Sequence, residues 1–284
     1  MKKILIYFVC FQLMISFASC TKEIMEYNGR EGVYFDVRNG TDSLAINRWP
    51  HQPYSNVDFA RLGGSVVEYP LKVTITGPVK DFDRSFRVEV NPDSTTAVLG
   101  QHYEALEGNW NIASGAISTM IRIRLKRAAD LQQGSKTLGL RLVATEDFSL
   151  SFPEWDAIPS YNAGTVIPKF NASLHTLRIN DVMVRPAIWN GSANASNQET
   201  GALGFFTRKK MEFLIENLGV KYEEFANSQT MPLARIILLS NDGAAILMQR
   251  YHAGNPILED DGRLMFMGNV TWRSIIGVPW VPGS

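Results

Sequence analysis

The feature that most restricts the fold of this chain is an alternation of apolar and polar residues that recurs through its first half. It is clearest in residues 71–76, 86–90, 120–125 and 138–143, and residues 32–37 add a segment rich in aromatic and β-branched side chains. Successive side chains of a β-strand point to opposite faces of a sheet, so each alternating segment predicts a strand with one buried face. Turns containing glycine or proline separate the segments, which is typical of an antiparallel β-sandwich.

The second half of the chain shows a different pattern, from which we expect a small α+β domain with one clear helix. Apolar residues fall at helical spacing between Thr207, a suitable N-cap, and Gly219, a suitable C-terminal stop. Two apolar segments flank the Ser-Asn-Asp-Gly sequence at 240–243 and predict a β-hairpin. A second pair of strands is expected around the Asp-Asp-Gly turn at 260–262.

A stretch rich in aromatic residues and proline separates the two patterns, and we interpret it as the connection between two domains. The predicted division is a lipoprotein signal peptide at 1–19, a tether at 20–29, an immunoglobulin-like β-sandwich at 30–147, the connection at 148–169 and the α+β domain at 170–284. The predicted fold class is therefore mainly β.

The first twenty residues predict export and attachment to a membrane. Two lysines precede an apolar run over residues 4–17, and Ala18 and Ser19 lead into Cys20. This order is typical of a secretory signal, and the run is shorter than the about 20 residues that a membrane span needs. The segment resembles a bacterial lipobox, which implies cleavage before Cys20, lipid on its thiol and a location at the outer membrane. The alternative is a plain secretory peptide in which Cys20 carries nothing.

The tripeptide that follows Cys20 is Thr-Lys-Glu, at residues 21–23. It resembles the short signal that directs many lipoproteins of Bacteroidota to the outer face of the outer membrane. That resemblance implies a protein displayed on the cell surface.

Counts of cysteine and charge exclude several kinds of site. Cys10 lies in the leader and Cys20 is the expected lipidation site, so the mature body has no cysteine for a disulfide or a metal. The four histidines are too widely spaced to suggest a metal site, and we predict neither metal nor cofactor. The 28 basic and 28 acidic residues balance, and the basic run at 208–210 is interpreted as a solvated helix face. No nucleic-acid partner is expected.

Part of the first half resembles a Calx-beta or related immunoglobulin-like module. The resemblance lies in residues 86–90, in the segment from Thr95 to Tyr103, and in residues 138–142. It implies the sandwich fold, with Tyr103 anchoring a strand end. His102 stands where the module usually has aspartate, and Asp81 and Asp83 are too few carboxylates for a calcium shell, so calcium binding is not expected.

Aromatic residues in predicted loops provide the candidate binding site. They are Trp49, Tyr54, Trp155, Tyr161 and Trp189. Flat rings on loops can stack on the apolar faces of sugar rings while nearby polar groups bind the hydroxyls, so we hypothesise a polysaccharide site. The alternative is that these rings fill the interface between the two domains.

No catalytic residues are predicted, and we do not expect an enzyme. A glycosidase needs two carboxyl groups facing each other across a bond, whereas the adjacent Glu259, Asp260 and Asp261 are expected to point into water. A Gly-x-Ser-x-Gly elbow is absent from the sequence. Glycoside hydrolysis is the least favoured function.

Three segments, at residues 32–35, 203–210 and 255–262, resemble a family of uncharacterised lipoproteins from Bacteroidota that carry a domain of unknown function. Members of such families are often encoded near SusC/SusD-type uptake systems. The resemblance implies a lipid-anchored, non-enzymatic binding or accessory component of glycan or nutrient uptake. The alternative is a structural or assembly partner of an outer-membrane complex.

Overall fold

The computed structural model of the chain describes residues 28–40, 46, 48–157 and 165–283. The predicted signal peptide, Cys20 and Tyr161 lie outside the described residues. Within them, the prediction of a mainly β chain is confirmed. The strands are β1 (Gly32–Phe35), β2 (Tyr54–Asp58), β3 (Val66–Thr76), β4 (Arg84–Val90), β5 (Trp110–Ile112), β6 (Ser118–Lys126), β7 (Lys136–Val143), β8 (Ser149–Leu150), β9 (Trp155–Asp156), β10 (Lys169–Phe170), β11 (Leu174–Asn180), β12 (Ser192–Ala193) and β13 (Glu199–Thr200).

Three α-helices accompany the strands in the described part of the chain. They are α1 (Phe59–Leu62), α2 (Arg208–Leu218) and α3 (Leu233–His252). Short 3₁₀ turns lie at Pro92–Ser94, Ala129–Gln132 and Tyr222–Ala226. Neither α2 nor α3, nor any other helix of the described residues, has the length and apolar character that crossing a membrane requires.

Two sheets form the sandwich in the first half of the molecule. One has the strand order β6-β3-β1-β8 and the other the order β2-β11-β7-β4-β5. Most neighbouring strands are antiparallel, but β1 pairs with β8 and β2 pairs with β11 in parallel. The alternating segments of the sequence therefore form strands as predicted, within sheets that are mixed and not purely antiparallel.

The core of the sandwich consists of the inward-facing residues of both sheets. In β3 every second residue from Leu71 to Ile75 is buried, and in β6 every second residue from Ile121 to Leu125. Burying one such aliphatic or aromatic side chain stabilises the fold by roughly 1.5–3 kcal/mol, so this core provides most of the driving force for folding. Its fully buried members include Val33, Val73, Phe86, Ile112, Ile121, Ile123, Leu125, Leu138, Leu140, Leu177 and Ile179.

Strand β11 belongs to the sandwich, although residues 170–284 were predicted to form a separate domain. It pairs with β7 from Leu174↔Arg141 to Ile179↔Lys136 and with β2 on its other side. The sequence could not show this, since a half-buried strand has the same alternation whichever sheet it joins. The chain thus returns to the sandwich after the connection before it enters the helical part.

The predicted hairpin around residues 240–243 is wrong, because helix α3 runs continuously through them. Its buried positions include Ile236, Leu239, Gly243 and Leu247, which recur every three or four residues as on one face of a helix. Gly243 is a packing residue and not a turn residue: a Cβ there would lie 2.4 Å from the Met267 sulfur. The two strands predicted on either side of residues 240–243 are therefore one helix, and β12 and β13 form a two-stranded antiparallel sheet elsewhere in this half.

Helix α2 has the predicted termini. Its N-cap is Thr207, whose side chain accepts a hydrogen bond from the Lys210 backbone N–H, and Gly219 at its C-terminus is left-handed with φ of 65°. Residues 258–264 make a turn closed by a single antiparallel bridge between Leu258 and Leu264, rather than a pair of strands. A second apolar core lies between α2, α3 and the loops around them. It includes Trp189, Leu203, Met211, Leu214, Phe225, Met231, Leu247, Met265 and Met267.

A buried carboxylate joins the sandwich to the helical part. Asp181, which follows β11, is fully buried and accepts two hydrogen bonds of 2.8 Å from Arg127 and one of 2.8 Å from Arg208. Arg127 follows β6 and Arg208 begins α2, so one carboxylate binds a guanidinium from each part. At a second point of contact, the adjacent residues Phe59 and Ala60 of α1 lie in the first and second cores respectively.

Candidate functional site

Five rings meet on the outer face of the first sheet, and we call them the Trp155 cluster. They are Tyr34, His51, Phe152, Trp155 and Phe170. Trp155 lies at the centre, with ring-centroid distances of 4.1 Å to His51, 4.9 Å to Phe152 and 6.1 Å to both Tyr34 and Phe170. The rings of Trp155 and Phe170 are nearly parallel, at 21°.

The strands place these rings by simple alternation and pairing. Val33 and Phe35 of β1 point into the core, so Tyr34 between them points outward. Trp155 and Phe170 are directly opposite each other in the β9–β10 pair. His51 is brought to the same face by an antiparallel bridge to Arg38.

Phe152 is held in an unfavourable backbone conformation. Its φ is 53°, in the left-handed region that residues with a side chain rarely adopt, and its side chain is 40% exposed. The backbone is fixed on both sides: Ala172 N–H donates to the Phe152 carbonyl, and Ser151 N–H donates to the Val33 carbonyl. Such conformations cost of order 1–3 kcal/mol and concentrate at ligand sites.

Beside the rings, Asp36 is a charged centre that binds several partners. Its Oδ1 accepts from Arg38 Nε at 3.0 Å and lies 2.9 Å from His51 Nε2, and its Oδ2 accepts from Lys72 Nζ at 2.9 Å and from Thr74 at 3.1 Å. Burial by itself would raise the pKa of Asp36. The hydrogen bonds from His51, Lys72 and Arg38 outweigh burial and hold that pKa far below its ordinary value. Asp36 therefore stays ionised and fixes the orientation of His51.

This arrangement combines half-buried flat rings with charged groups that reach water. The side chains of Arg38 and Lys72 remain 37% and 42% exposed while they contact Asp36. Glu154 and Lys169, which flank the rings in sequence, are exposed and paired with each other at 2.8 Å. The rings can stack on an apolar ligand face, and the flanking groups can donate to or accept from its hydroxyls.

Of the residues predicted for a binding site, the structure places Trp155 at the centre of the cluster. Trp49 lies in the β1–β2 loop that also carries His51, with the backbone of Gly40 against its indole ring. Tyr161 is outside the described residues. The structure therefore brings one predicted tryptophan together with four rings that were not predicted as ligands.

Two predicted residues have other roles. Tyr54 is in strand β2 and not in a loop, and the Arg178 guanidinium covers its ring at 3.7 Å from the centroid. Trp189 is 3% exposed in the second core, and its Nε1 donates to the Gly204 carbonyl at 2.8 Å. The prediction that Tyr54 lies in a loop is wrong. Trp189 lies outside the helices and strands, but packing in the second core covers its ring.

Some of the missed residues left a signal in the sequence. The buried alternation of β1 implied an outward Tyr34, and the aromatic connection contained Phe152. The positive φ of Phe152 and the pairing that brings in Phe170 have no such signal, since both depend on contacts between distant parts of the chain.

A second group of charged side chains, which we call the enclosed cluster, lies inside the helical part. Lys210 Nζ binds Glu199 Oε2 and lies 3.6 Å from Glu259 Oε1. Arg263 donates to Glu199 Oε1 at 3.0 Å and also pairs with Asp261. Lys210, Glu199, Glu259 and Arg263 have side chains that are at most 5% exposed.

The enclosed cluster overturns two predictions. Glu259 does not point into water: its Oε2 accepts from the Thr207 hydroxyl at 2.8 Å. Lys210 is not on a solvated face, because Gly204 leaves room for its ammonium; a Cβ at Gly204 would lie 2.2 Å from Glu199 Oε2 and 2.9 Å from Lys210 Nζ. Lys209, the residue before Lys210, is 42% exposed, as predicted for the outer face of the helix.

In the enclosed cluster, burial shifts the pKa values of Glu259 and Lys210 in the directions that favour the neutral forms of the two side chains. It raises the pKa of Glu259, against the opposing effects of Lys210 and Thr207. It lowers the pKa of Lys210, although the carboxylates of Glu199 and Glu259 favour the charged ammonium. A raised carboxyl pKa beside a second carboxylate resembles an acid–base pair. However, the burial of all four side chains leaves no surface on which a substrate could meet them, so we interpret the cluster as structural.

The described residues contain no group of three or more His, Cys, Asp or Glu side chains that could hold a metal ion. His102, which replaces the aspartate of the Calx-beta pattern, is buried; its Nδ1 accepts the Val98 N–H at 2.8 Å and its Nε2 lies 3.0 Å from Asp130. Tyr103 is buried and bridges to Leu125 at the end of β6. Both residues fix a strand end.

Residues 27–162, just under half of the chain, match the model of a family described as domain of unknown function DUF4843. No curated protein matches the chain significantly. Among solved structures, the Calx CBD1 domain is 16% identical with a TM-score of 0.34, and the match covers 54% of this chain and 98% of that domain.

Two proteins of Bacteroides ovatus, both of unknown function, are also similar. One is 12% identical with a TM-score of 0.35, over 58% of this chain and 48% of its own. The other is 18% identical with a TM-score of 0.32, over 59% of this chain and 50% of its own. The match thus spans about half the length of these two proteins.

Proposed function

We propose that this protein is a lipid-anchored component of a bacterial cell envelope that binds glycan without catalysis, at the Trp155 cluster, in the service of glycan or nutrient uptake. The observation that carries the proposal is Phe152: an exposed ring, on a left-handed backbone, held edge-on at 85° to Tyr34 and at 77° to Trp155. The ring keeps 40% of its surface exposed although a strained backbone holds it in place. A ligand that uses this exposed surface would account for the strain.

The chemistry of the cluster suits a sugar better than a charged or purely apolar ligand. The nearly parallel rings of Trp155 and Phe170 can stack on a pyranose face, while Lys72, Arg38 and Glu154 stand beside them with exposed polar ends. Since Asp36 neutralises part of the basic charge, the site has no strong single-sign field that would favour an anion.

The leader supports the location. A lipid on Cys20 would tether the mature chain, because two or three acyl chains on one residue make attachment effectively permanent. Mass spectrometry of the N-terminal peptide from native membranes tests this part directly. An unmodified Cys20 would contradict the anchor, whatever the Trp155 cluster binds.

Glycan binding is tested by affinity electrophoresis and a glycan array with the lipidated protein, comparing wild type with Phe152→Ala and Trp155→Ala. The matched control is Phe205→Ala, because Phe205 is a similarly exposed ring, at 43%, in the other half of the molecule. We expect retention to be lost in both cluster variants, with their circular dichroism unchanged, and kept in the control. A wild-type protein that no polysaccharide retains would contradict the glycan part of the proposal.

A second candidate function is assembly with an outer-membrane complex, and one observation favours it. Three large apolar side chains on the first turns of α3 are exposed: Leu233 at 58%, Ile237 at 47% and Leu238 at 61%. A stoichiometric protein partner captured from native membranes, and lost in Leu238→Gln, would favour this function over glycan binding.

A further inference from the structure

The end of the sandwich at which the described chain begins carries a group of exposed apolar side chains. Val79, Phe82 and Ile117 are 48%, 53% and 58% exposed, and we call these three residues the anchor-side face. They lie in two loops, β3–β4 and β5–β6. Large exposed apolar side chains on neighbouring loops mark a surface that is covered in use.

Hydrogen bonds join the two loops into one surface. Gly115 N–H donates to the Lys80 carbonyl at 2.8 Å, and Ser114 N–H donates to Asp83 Oδ1 at 2.7 Å. Ile75 N–H, near the end of β3, donates to the Ile117 carbonyl at 3.0 Å. The two loops that carry the three apolar side chains are therefore held side by side.

The N-terminal end of the fold is tied to the same place. Gly32 pairs with Thr76 at the end of β3, and the Glu31 carboxylate binds Lys80 at 2.8 Å and Arg84 at 2.9 Å. Cys20 is only eight residues before Asn28, the first described residue. Even a fully extended chain of that length spans no more than about 29 Å.

The opposite end of the sandwich lies much farther from this point. Strand β3 has 11 residues, which corresponds to a length of about 36 Å. Val67, near the start of β3, marks that far end, and its partner in β6 is Leu125. Tyr103 bridges to Leu125 and Leu99 bridges to Tyr103, so Leu99 also lies at the far end. A lipid on Cys20 would hold the near end close to the membrane and allow the far end to project away from it.

We infer that the anchor-side face is a membrane-contact surface, whose partner is the bilayer that holds the lipid of Cys20. This inference rests on the proposed lipid anchor. Phe82, Val79 and Ile117 enter the headgroup region, where amphipathic and apolar side chains bind interfaces. Asp81 and Asp83 are exposed on the same loops, and Lys80 is paired with Glu31, so the surface fits a zwitterionic leaflet better than a strongly anionic one.

The mature chain offers a clean test, because Cys20 is its only cysteine and would be blocked by lipid. Single cysteines are introduced as Phe82→Cys and Ile117→Cys, labelled with an environment-sensitive fluorophore, and the full lipidated protein is reconstituted into phosphatidylethanolamine-rich vesicles containing doxyl-lipid quencher. Leu99→Cys is the matched control, since Leu99 is 57% exposed at the far end of the same sandwich.

We expect a blue shift and strong quenching of the label at positions 82 and 117, and neither at position 99. Equal quenching at all three positions, or none at positions 82 and 117 in protein that still floats with the vesicles, would overturn the inference and leave the anchor intact. Labelling of the wild-type protein would reveal a free Cys20 thiol, which would overturn the anchor and the inference together.

Discussion

The two halves of the molecule each contain a cluster of charged side chains, and the two clusters differ in their access to water. Around Asp36 in the sandwich, the carboxylate is buried but Arg38 and Lys72 are about two-fifths exposed. In the enclosed cluster, Lys210 and Glu199 are both fully buried. Similar residue types therefore have different roles in the two clusters. Where the partners reach water, water can replace a lost ion pair. Where all the groups are buried, each charge is stabilised only by the others.

The difference is also visible in the direction of the pKa shifts. Asp36 has enough hydrogen bonds to overcome burial, and its pKa is lowered. Glu259 has fewer direct partners and its pKa is raised, with burial as the largest cause. An open cluster can exchange a protein partner for water or for a ligand. An enclosed cluster cannot, and this is why we place the binding site at the first and a structural role at the second.

The largest effect is expected from Lys210→Met. Removing the ammonium leaves Glu199 and Glu259 together in a buried site, and breaking a buried ion pair in this way typically costs about 3–5 kcal/mol. Urea unfolding followed by circular dichroism measures the change. Lys209→Met, on the exposed neighbour, should alter the free energy of unfolding by no more than about 0.5 kcal/mol. Similar values for the two variants would show that the cluster is not enclosed.

Asp36→Asn should have a smaller effect, of about 1–3 kcal/mol, because Arg38 and Lys72 can be hydrated once the charge is lost. Hydrogen exchange measured by mass spectrometry should show the loss of protection in β1 and β3 and leave α2 unchanged. A loss as large as that of Lys210→Met would mean that the Asp36 cluster is also closed to water.

The two clusters should respond to pH in opposite directions. Asp36 has a lowered pKa in the folded state, so its contribution to stability is complete above 3.8, its ordinary value, and is lost as the pH falls below it. Glu259 has a raised pKa, so its folded protonated form is favoured, and stability is lost as the pH rises above 4.5, its ordinary value.

Urea unfolding of wild type, Asp36→Asn and Glu259→Gln from acid to neutral pH measures these contributions. The free energy of unfolding of wild type minus that of Asp36→Asn should increase as the pH rises. The free energy of unfolding of wild type minus that of Glu259→Gln should decrease. If both differences in the free energy of unfolding changed in the same direction with pH, the opposite pKa shifts of Asp36 and Glu259 would be contradicted.

The smallest effect on stability is expected at Phe152, where two substitutions separate the ring from the backbone. Phe152→Ala removes the ring and keeps the left-handed strain, whereas Phe152→Gly removes both. Glycine should therefore be the more stable variant by about 1 kcal/mol, as measured by thermal unfolding, while both variants lose glycan retention. If alanine were as stable as glycine, the backbone at Phe152 would not be strained.

Comparison of particular elements shows what sequence reasoning could reach. Strands β3 and β6 and the caps of α2 follow from local patterns, and the structure confirms them. Helix α3 was mistaken for a hairpin because Asp242-Gly243 has the sequence of a turn. The contact of Gly243 with Met267, which explains that glycine, joins residues that are distant in the chain.

The candidate site was predictable to a lesser degree. Trp155 was identified as an aromatic residue of the connection, but only the fold shows that Arg178 covers Tyr54 and that the second core encloses Trp189. Glu259 was expected in water for the same reason: a turn sequence is local, and the partners that bury its carboxylate come from α2 and from Thr207.

The sequence by itself determined a mainly β first half, a capped helix between Thr207 and Gly219, and a body without cysteine after residue 20. Periodicity and capping are properties of neighbouring residues, so they can be read directly from the chain. The tertiary structure alone decided that β11 returns to the sandwich, that four other rings meet around Trp155, and that Lys210 is buried. Each of these depends on which distant surfaces exclude water from a side chain, and burial of that kind is set only when the whole chain has packed.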